Sequence, residues 1–200
     1  MVHSISGIIL AGGANRRFNG MTKSNIIIDG KTIISRITDT IRDIFDEIII
    51  VTNTPEEFKE YNKYKIVSDQ FLKVGPIGGI HAALKASSKE ALFVFAGDMP
   101  LLQNKLIIRL IDFYNSHRCD VLVPRINKNI EPLHAIYNIS IKRTLEEYLK
   151  GDHDYAVRKF FKRVNVSYLQ FKESEETINV FTNINSPSDI SVVEKILKIG

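Results

Sequence analysis

Short apolar segments alternate with amphipathic segments along the first part of this 200-residue chain. The apolar segments predict buried β-strands at residues 5–10, 47–52, 64–68, 91–96 and 121–124. Within them the apolar residues run largely consecutively, which is typical of strands whose two faces are both covered. The amphipathic segments predict helices at residues 32–45, 55–61, 77–86 and 105–115. This alternation predicts a three-layer α/β/α fold, with helices on both faces of a mostly parallel sheet.

The second part of the chain alternates less regularly. Further strands are predicted at residues 133–137, 164–171 and 179–182, and further helices at residues 140–150, 155–161 and 187–197. Neither a low-complexity linker nor an internal repeat separates the two parts. We therefore predict a single domain over residues 1–200, in which residues 126–200 elaborate the regular part formed by residues 1–125.

The charge and cysteine content of the chain limit its expected partners. The net charge is +4 and the isoelectric point is near 9.1, which suits anionic substrates. The densest basic stretch, residues 158–163, is too short for a nucleic-acid-binding arm, so no nucleic-acid partner is expected. Cys119 is the only cysteine, and neither a signal peptide nor an apolar run of transmembrane length is visible. These features predict a cytoplasmic protein without a membrane partner.

A glycine turn with nearby positive charge follows the first predicted strand. Leu10 and Ala11 lead into Gly12 and Gly13, and the backbone N–H groups of such a turn can face an anion. The same stretch supplies three cations: Arg16, Arg17 and Lys23. Its spacing matches neither a Walker A loop nor a dinucleotide-binding glycine motif. The combination predicts phosphate binding, and an incidental turn with surface arginines is the alternative.

Two carboxylates also follow predicted strands. Asp98 comes directly after the most apolar strand, so its side chain should project into the crevice at the carboxyl edge of the sheet. A Mg²⁺ ion between this carboxylate and bound phosphates would remove their mutual repulsion. Asp69 can only accept hydrogen bonds when ionised, which suits the N1–H and amino group of guanine, although a solvated loop aspartate is equally compatible. The glycine-rich turn at residues 75–80 is compatible with close approach to a flat ligand or with a plain turn.

Together these segments resemble molybdenum cofactor guanylyltransferases over nearly the whole chain. The resemblance is carried by residues 10–13 with Arg17, Gly20 and Lys23, by residues 75–80, by Asp98 with Pro100, and by residues 131–137 and 183–187. Three positions depart from the family pattern: Thr22 stands where the family usually has Asp, Phe18 where it has Met, and Ser186 where it has Thr. The resemblance implies a Rossmann-like nucleotidyltransferase fold of the GT-A-like type.

The resemblance also implies a reaction and its ligands. The family transfers GMP from GTP to the terminal phosphate of the molybdenum cofactor, a pterin, and releases pyrophosphate. Mg²⁺ would be bound by Asp98. Contacts with the nucleotide would come from Leu10, Ala11, Gly12, Gly13, Lys23, Asn53, Asp69 and Asp98. Handover proteins of cofactor biosynthesis are candidate partners.

We assign candidate catalytic roles to Lys23, Arg17 and Asp98, because phosphoryl chemistry depends on positioning and charge neutralisation. Candidates for the acceptor side lie in the C-terminal part: His134, Arg158 and Asn185. A histidine beside an apolar strand is more often structural, and an arginine such as Arg158 more often caps or solvates a helix.

Rival functions remain open at this point. One is transfer of CMP to the same pterin, and another is nucleotide transfer to a sugar or isoprenoid phosphate. A nucleotide-binding module without catalysis would keep the glycine turn but would need neither Lys23 nor Asp98, and both are present.

Overall fold

The computed structural model describes residues 4–12, 22–151 and 154–199. Its strands are β1 (Ile5–Leu10), β2 (Ile27–Ile28), β3 (Lys31–Thr32), β4 (Ile48–Val51), β5 (Lys65–Val67), β6 (Ala91–Ala96), β7 (Val121–Ile126), β8 (Asn129–Ile130), β9 (His134–Asn138) and β10 (Val166–Phe171). Its α-helices are α1 (Ile33–Ile41), α2 (Pro76–Ala86), α3 (Asn104–Ser116), α4 (Lys142–Leu149), α5 (Val157–Phe160), α6 (Glu175–Val180) and α7 (Pro187–Ile199). Short 3₁₀ helices cover Lys23–Asn25, Pro55–Tyr61, Ile139–Ile141 and Phe161–Arg163.

The main sheet has the strand order β10-β7-β9-β6-β1-β4-β5, and β8 pairs with β7 outside this order. Strands β6, β1, β4 and β5 pair in parallel, whereas β9 runs antiparallel to both of its neighbours. Leu10 pairs with Val51 on one side and with Ala96 on the other, so the carboxyl ends of β1, β4 and β6 stand at one level. The prediction of a mostly parallel α/β sheet is confirmed, and the chain segments that follow these strands share one edge.

Apolar residues cover both faces of the sheet. On β1, Ile8 packs into one cluster and Ile9 into the other, because successive side chains of a strand point to opposite faces. Helices α1, α3 and α7 contribute to the cluster around Ile9, and helices α2, α4 and α5 to the cluster around Ile8. This arrangement confirms the three-layer prediction.

The prediction of a strand at residues 179–182 is wrong. Helix α6 occupies residues up to Val180 and begins with a capping box, in which the side chains of Ser174 and Thr177 each accept a hydrogen bond from the other's backbone N–H. This cap satisfies two N–H groups that otherwise lack helical partners, and it favours a helical turn over an extended segment.

Other boundaries shift by a few residues. The predicted N-cap of α1 is confirmed, since Thr32 Oγ1 accepts a hydrogen bond from the backbone of Ser35, but the helix ends at Ile41 instead of residue 45. Strands β2 and β3 form a hairpin that the sequence analysis missed. Within the described residues, no helix is both long and apolar enough to cross a membrane.

Candidate active site

A lysine, an aspartate and an asparagine from distant parts of the chain meet at the carboxyl edge of the sheet. Lys23 Nζ donates one hydrogen bond to Asp98 Oδ2 at 2.9 Å and another to Asn185 Oδ1 at 2.8 Å. The side chains of Lys23 and Asp98 are each 23% exposed, so the ion pair is partly shielded and still open to a ligand. The cluster therefore brings together three residues singled out in the sequence: Lys23 for phosphate binding, Asp98 for metal binding and Asn185 for the acceptor side.

Gly97 allows the end of β6 to approach the first loop. Its backbone N–H donates to the Leu10 carbonyl at 3.0 Å, and the next residue, Asp98, accepts a hydrogen bond from the backbone of Ile184. A Cβ at Gly97 would lie 2.6 Å from the Leu10 carbonyl oxygen and closer still to Ser24 Oγ. Only glycine fits this contact without displacing its neighbours, and the contact directs Asp98 toward Lys23.

The described part of the glycine turn is anchored to the sheet. Ala11 is buried and donates its backbone N–H to the carbonyl of Val51, while Gly12 is exposed beside it. Gly13, Arg16, Arg17 and Gly20 lie outside the described residues. The binding and catalytic roles assigned to Gly13 and Arg17 therefore stay predictions.

Asn53 and Asp69 form a second polar pair on the β4–β5 side of the site. The Asp69 backbone N–H donates to Asn53 Oδ1 at 3.0 Å, and Asn53 Nδ2 reaches Asp69 Oδ2 at 3.5 Å. Burial raises the pKa of the Asp69 carboxyl, and the Asn53 hydrogen bond and the charge of His81 oppose this rise. The structure thus joins the two residues that the resemblance assigned to the nucleotide.

The glycines at the start of α2 leave room for this pair. Gly75 has φ of 74°, a conformation that L side chains rarely adopt, and it turns the chain into the helix. A Cβ at Gly79 would lie 3.0 Å from Leu10 Cδ2 and 3.5 Å from Asp69 Oδ1, so the helix packs closely on both. The glycine turn, Asp69 and the first turn of α2 consequently line one continuous surface.

The acceptor-side candidates do not lie together. Asn185 is part of the Lys23 cluster, whereas Arg158 is exposed and donates to the Ile130 carbonyl at 2.9 Å. His134 is fully buried, and its ring contacts Phe93, Phe95 and Phe181. Neither ring nitrogen has a hydrogen-bond partner within the described part of the chain. Burial lowers the pKa of His134 to about 3, which keeps the imidazole neutral. This position supports a structural role for His134.

Sequence reasoning missed Glu57, which supports the turn that carries Lys23. Glu57 Oε2 accepts hydrogen bonds from the Thr22 backbone at 3.3 Å and from Asn25 Nδ2 at 3.1 Å. Burial raises the pKa of Glu57, but hydrogen bonds from Thr22, Thr54 and Asn25 together outweigh it and lower the pKa. The sequence signal was Thr22, which stands where the family usually has Asp. In the structure, the carboxylate of Glu57, from the neighbouring 3₁₀ helix, lies beside this position.

Asp189 was also missed, and it shapes the loop that presents Asn185. Its Oδ2 accepts hydrogen bonds from the backbone N–H groups of Asn185 at 2.7 Å and Ser186 at 2.8 Å. These two bonds lower the pKa of Asp189 and hold it ionised at the first turn of α7. The side chain of Asn185 is thereby directed toward Lys23.

The donor set at Asp98 fits a metal that is bound partly by substrate. No group of three or more His, Cys, Asp or Glu residues that could hold a metal occurs within the described parts of the chain. Among the described residues, Asp98 Oδ1 accepts no hydrogen bond, and Lys23 is the only residue that pairs with Oδ2. Mg²⁺ commonly uses one or two carboxylates together with phosphate oxygens and water, so a single carboxylate of this kind is sufficient.

Comparison with known proteins identifies relatives over nearly the whole chain. A family model described as a MobA-like NTP transferase domain matches residues 7–168. A protein of Natranaerobius thermophilus named probable molybdenum cofactor guanylyltransferase is 36% identical over 202 residues, which cover 98% of both chains. The molybdenum cofactor guanylyltransferase of Desulfosudis oleivorans is 32% identical over 200 residues, with the same coverage.

A solved structure extends the match to three dimensions. The crystal structure of molybdopterin-guanine dinucleotide biosynthesis protein A from Archaeoglobus fulgidus matches with a TM-score of 0.81 and 26% identity, covering 98% of this chain and all of the other. Sequence and fold agree, and the resemblance that the motifs indicated is confirmed. The chain belongs to the family of MobA-like NTP transferases and is a nucleotidyltransferase.

Proposed function

We propose that the protein transfers GMP from GTP to the terminal phosphate of the molybdenum cofactor, giving the guanine dinucleotide form of the cofactor and pyrophosphate. Relatives named molybdenum cofactor guanylyltransferase align over nearly the whole chain and support a nucleotidyltransferase role in the biosynthesis of this cofactor. The observation that carries the proposal is the cluster of Lys23, Asp98 and Asn185, which combines a cation suited to phosphates with a carboxylate suited to a metal ion.

In the proposed complex the nucleotide lies across the carboxyl ends of β1, β4 and β5. Its phosphates face the glycine turn of Leu10, Ala11 and Gly12, with Gly13 and Arg17 continuing that surface. Its base faces Asn53 and Asp69, whose carboxylate suits the paired N–H donors of guanine. The base is the feature that distinguishes GTP from CTP, because the Watson–Crick edge of cytosine offers only one donor group, its amino group, to a carboxylate.

The chemistry requires positioning and charge neutralisation more than proton transfer. The terminal phosphate of the acceptor is already ionised near neutral pH, so no general base is needed. Its oxygen forms a new bond to the α-phosphorus of GTP, and the bond from that phosphorus to the β-phosphate oxygen breaks. The electron pair leaves with pyrophosphate, whose growing negative charge lies within reach of Lys23.

The residues around Lys23 place its charge. Asp98 and Asn185 hold the ammonium group from two sides, so that it is oriented before substrate binds. Nucleotidyltransferases of this family typically use a divalent metal, and we propose Mg²⁺ bound by Asp98. When bound there, the ion neutralises phosphate charge.

The C-terminal part supplies the acceptor side in this proposal. Residues 1–125 then bind mainly the nucleotide, and residues 126–200 bind mainly the pterin, with Asn185 at their boundary and Arg158 as a further candidate. A cytoplasmic location and delivery of the cofactor by handover proteins are part of the same proposal.

The test is pyrophosphate release by the purified protein with Mg²⁺ and molybdenum cofactor, comparing GTP, CTP, ATP and UTP. We expect release with GTP only. Release with CTP alone would assign the chain to cytidylyl transfer on the same pterin. No release with any nucleotide, from folded protein and competent acceptor, would favour a binding module without catalysis.

A further inference from the structure

Glu131 is a carboxylate at the carboxyl edge of the sheet that no part of the proposed nucleotide site uses. Its backbone N–H donates to the Pro124 carbonyl of β7, and its own carbonyl accepts from the backbone of His134 at the start of β9. The main chain of Glu131 is therefore fixed between two strands of the sheet. Any role of its side chain begins from a rigid position.

The register of β6 and β9 relates Glu131 to Asp98. The antiparallel ladder pairs Phe95 with His134, and the backbone of Ala96 next donates to the Leu133 carbonyl. Asp98 follows Ala96 by two residues, and Glu131 precedes Leu133 by two residues. Both carboxylates lie in turns that adjoin the end of the β6–β9 ladder, because the Met99 N–H donates to the Ala96 carbonyl and the His134 N–H to the Glu131 carbonyl. Glu131 and Asp98 therefore belong to neighbouring turns at the same edge of the sheet.

The Glu131 side chain is half-buried and has no direct partner within the described residues. No described residue donates a hydrogen bond to its carboxylate or forms an ion pair with it within 4.0 Å. Arg158 supplies a positive charge nearby, but its guanidinium donates to the Ile130 carbonyl. Burial raises the pKa of Glu131 and Arg158 opposes this rise. A carboxylate that is partly removed from water and receives no hydrogen bond from the described residues is suited to bind a ligand with hydrogen-bond donors.

The position of Glu131 mirrors that of Asp69. In the strand order, Asp69 follows β5 on one side of the Lys23–Asp98 pair, and Glu131 precedes β9 on the other side. Guanine presents an N–H group and an amino group side by side on one edge. The pyrimidine ring of a pterin presents the same two donors on its own edge. Asp69 on one side of the reaction centre thus matches the guanine ring of the product, and Glu131 on the other side matches its pterin ring.

We infer that Glu131 is a specificity-determining residue for the acceptor, and that its carboxylate accepts the ring N–H and the 2-amino group of the pterin. The inference rests on the proposed function, since it concerns the acceptor of that reaction. It assigns Arg158 the role of favouring the ionised form of Glu131 through its nearby charge.

The first experiment measures ring binding directly and does not require turnover. The intrinsic fluorescence of 6-hydroxymethylpterin, and of 6-hydroxymethyllumazine in which the 2-amino group is replaced by oxygen, is titrated with wild type and with Glu131→Gln. We expect wild type to bind the pterin about 10- to 100-fold more tightly than the lumazine, because the site loses a charge-assisted hydrogen bond with the latter. In Glu131→Gln the ratio of the two affinities should fall to about 1, because the amide N–H₂ group would face the N–H groups of the pterin ring.

The second experiment separates acceptor from nucleotide. With molybdenum cofactor as acceptor, Glu131→Gln should raise KM for the cofactor about 10- to 100-fold while kcat and the Kd for GTP stay unchanged. The matched control is Glu147→Gln, an exposed glutamate of α4 paired with Arg143, which should leave every one of these values unchanged. Thermal unfolding of both variants should coincide with that of wild type.

The outcomes distinguish the two proposals. The role of Glu131 would be overturned if wild type and Glu131→Gln preferred the pterin over the lumazine equally, or if wild type showed no preference. This conclusion would hold regardless of the measured turnover. Absence of pyrophosphate release with wild type, GTP and cofactor would overturn the proposed function, and the titration of the two pteridines would still decide whether Glu131 reads the ring.

Discussion

Lys23 Nζ lies 2.9 Å from Asp98 Oδ2, and this ion pair joins two segments that are 75 residues apart in the chain. One partner follows the glycine turn after β1 and the other follows β6, so the pair exists only because these two strands are neighbours in the sheet. The partly exposed pair is a weak source of stability, since exposed ion pairs contribute about 0–1 kcal/mol. Its place at the carboxyl edge of the sheet therefore favours a role in ligand binding over a role in stability.

The first prediction concerns this pair. Lys23→Ala and Asp98→Ala should each reduce pyrophosphate release about 10²- to 10³-fold, the usual loss when one electrostatic partner of a transition state is removed. Both variants should unfold within about 1 kcal/mol of wild type, because a partly exposed ion pair contributes about 0–1 kcal/mol. Turnover assays with circular-dichroism melts measure the two effects, and normal turnover in either folded variant contradicts the role assigned to that residue.

The second prediction concerns Gly97. Gly97→Ala should destabilise the protein by about 1–3 kcal/mol, because the new Cβ would lie 2.6 Å from the Leu10 carbonyl oxygen and the backbone must shift. The same shift should move Asp98 and lower activity.

The matched control for Gly97 is Gly12→Ala. A Cβ at Gly12 meets no atom of the described residues within 4 Å, so its effect on the free energy of unfolding should be below about 0.5 kcal/mol. Denaturant titration of both variants provides the comparison, and equal destabilisation would show that the approach of β6 to Leu10 is not the cause.

The third prediction concerns recognition of the base. Asp69→Asn should raise KM for GTP about 10- to 100-fold, because a carboxamide retains one acceptor and presents a donor to the donor edge of guanine. Any activity that wild type shows with ATP should not decrease in Asp69→Asn as activity with GTP does. The control is Asp112→Asn on the exposed side of α3, which removes the same charge far from the site. A parallel loss with all nucleotides would instead indicate that Asp69 positions the Asn53 loop.

The alternation of apolar segments was sufficient to predict the layers, the parallel strands and the edge that carries the site. It was sufficient because the central strands β1, β4 and β6 are buried on both faces, and burial of this kind requires continuous apolar sequence. The same pattern failed at residues 179–182, where Asn179, Val180 and Phe181 were assigned to a strand. The decisive signal was a capping box between Ser174 and Thr177, which lies upstream of the apolar residues.

The hairpin of β2 and β3 was missed although its turn was visible in the sequence. Asp29 and Gly30 adopt positive φ angles of 47° and 75°, as expected for an Asp-Gly turn between two short strands. Each strand has only two residues, too few to show an alternating pattern. Glu57 and Asp189, which support the segments that carry Lys23 and Asn185, were missed for another reason. They accept hydrogen bonds mainly from backbone N–H groups, and such contacts are not visible in a side-chain pattern.

The last prediction concerns His134, whose neutral ring lies among Phe93, Phe95 and Phe181. Burial lowers its pKa from 6.5 to about 3, so the unfolded chain binds a proton between these values that the folded protein does not. The stability that depends on the neutral ring is fully present above pH 6.5 and falls as the pH decreases toward 3. His134→Leu should therefore flatten the dependence of unfolding free energy on pH across this window, while retaining the burial of an apolar side chain.

Chemical denaturation at a series of pH values measures this slope in wild type and variant. Because both ring nitrogens of His134 lack a hydrogen bond, the substitution leaves no polar partner unpaired, and we expect the folded variant to keep its KM for the acceptor. An unchanged slope would mean that other groups determine acid stability. A selective rise in KM for the molybdenum cofactor, with stability preserved, would instead support His134 as an acceptor-binding residue. The side chains that cover its ring would then have to move when the pterin binds.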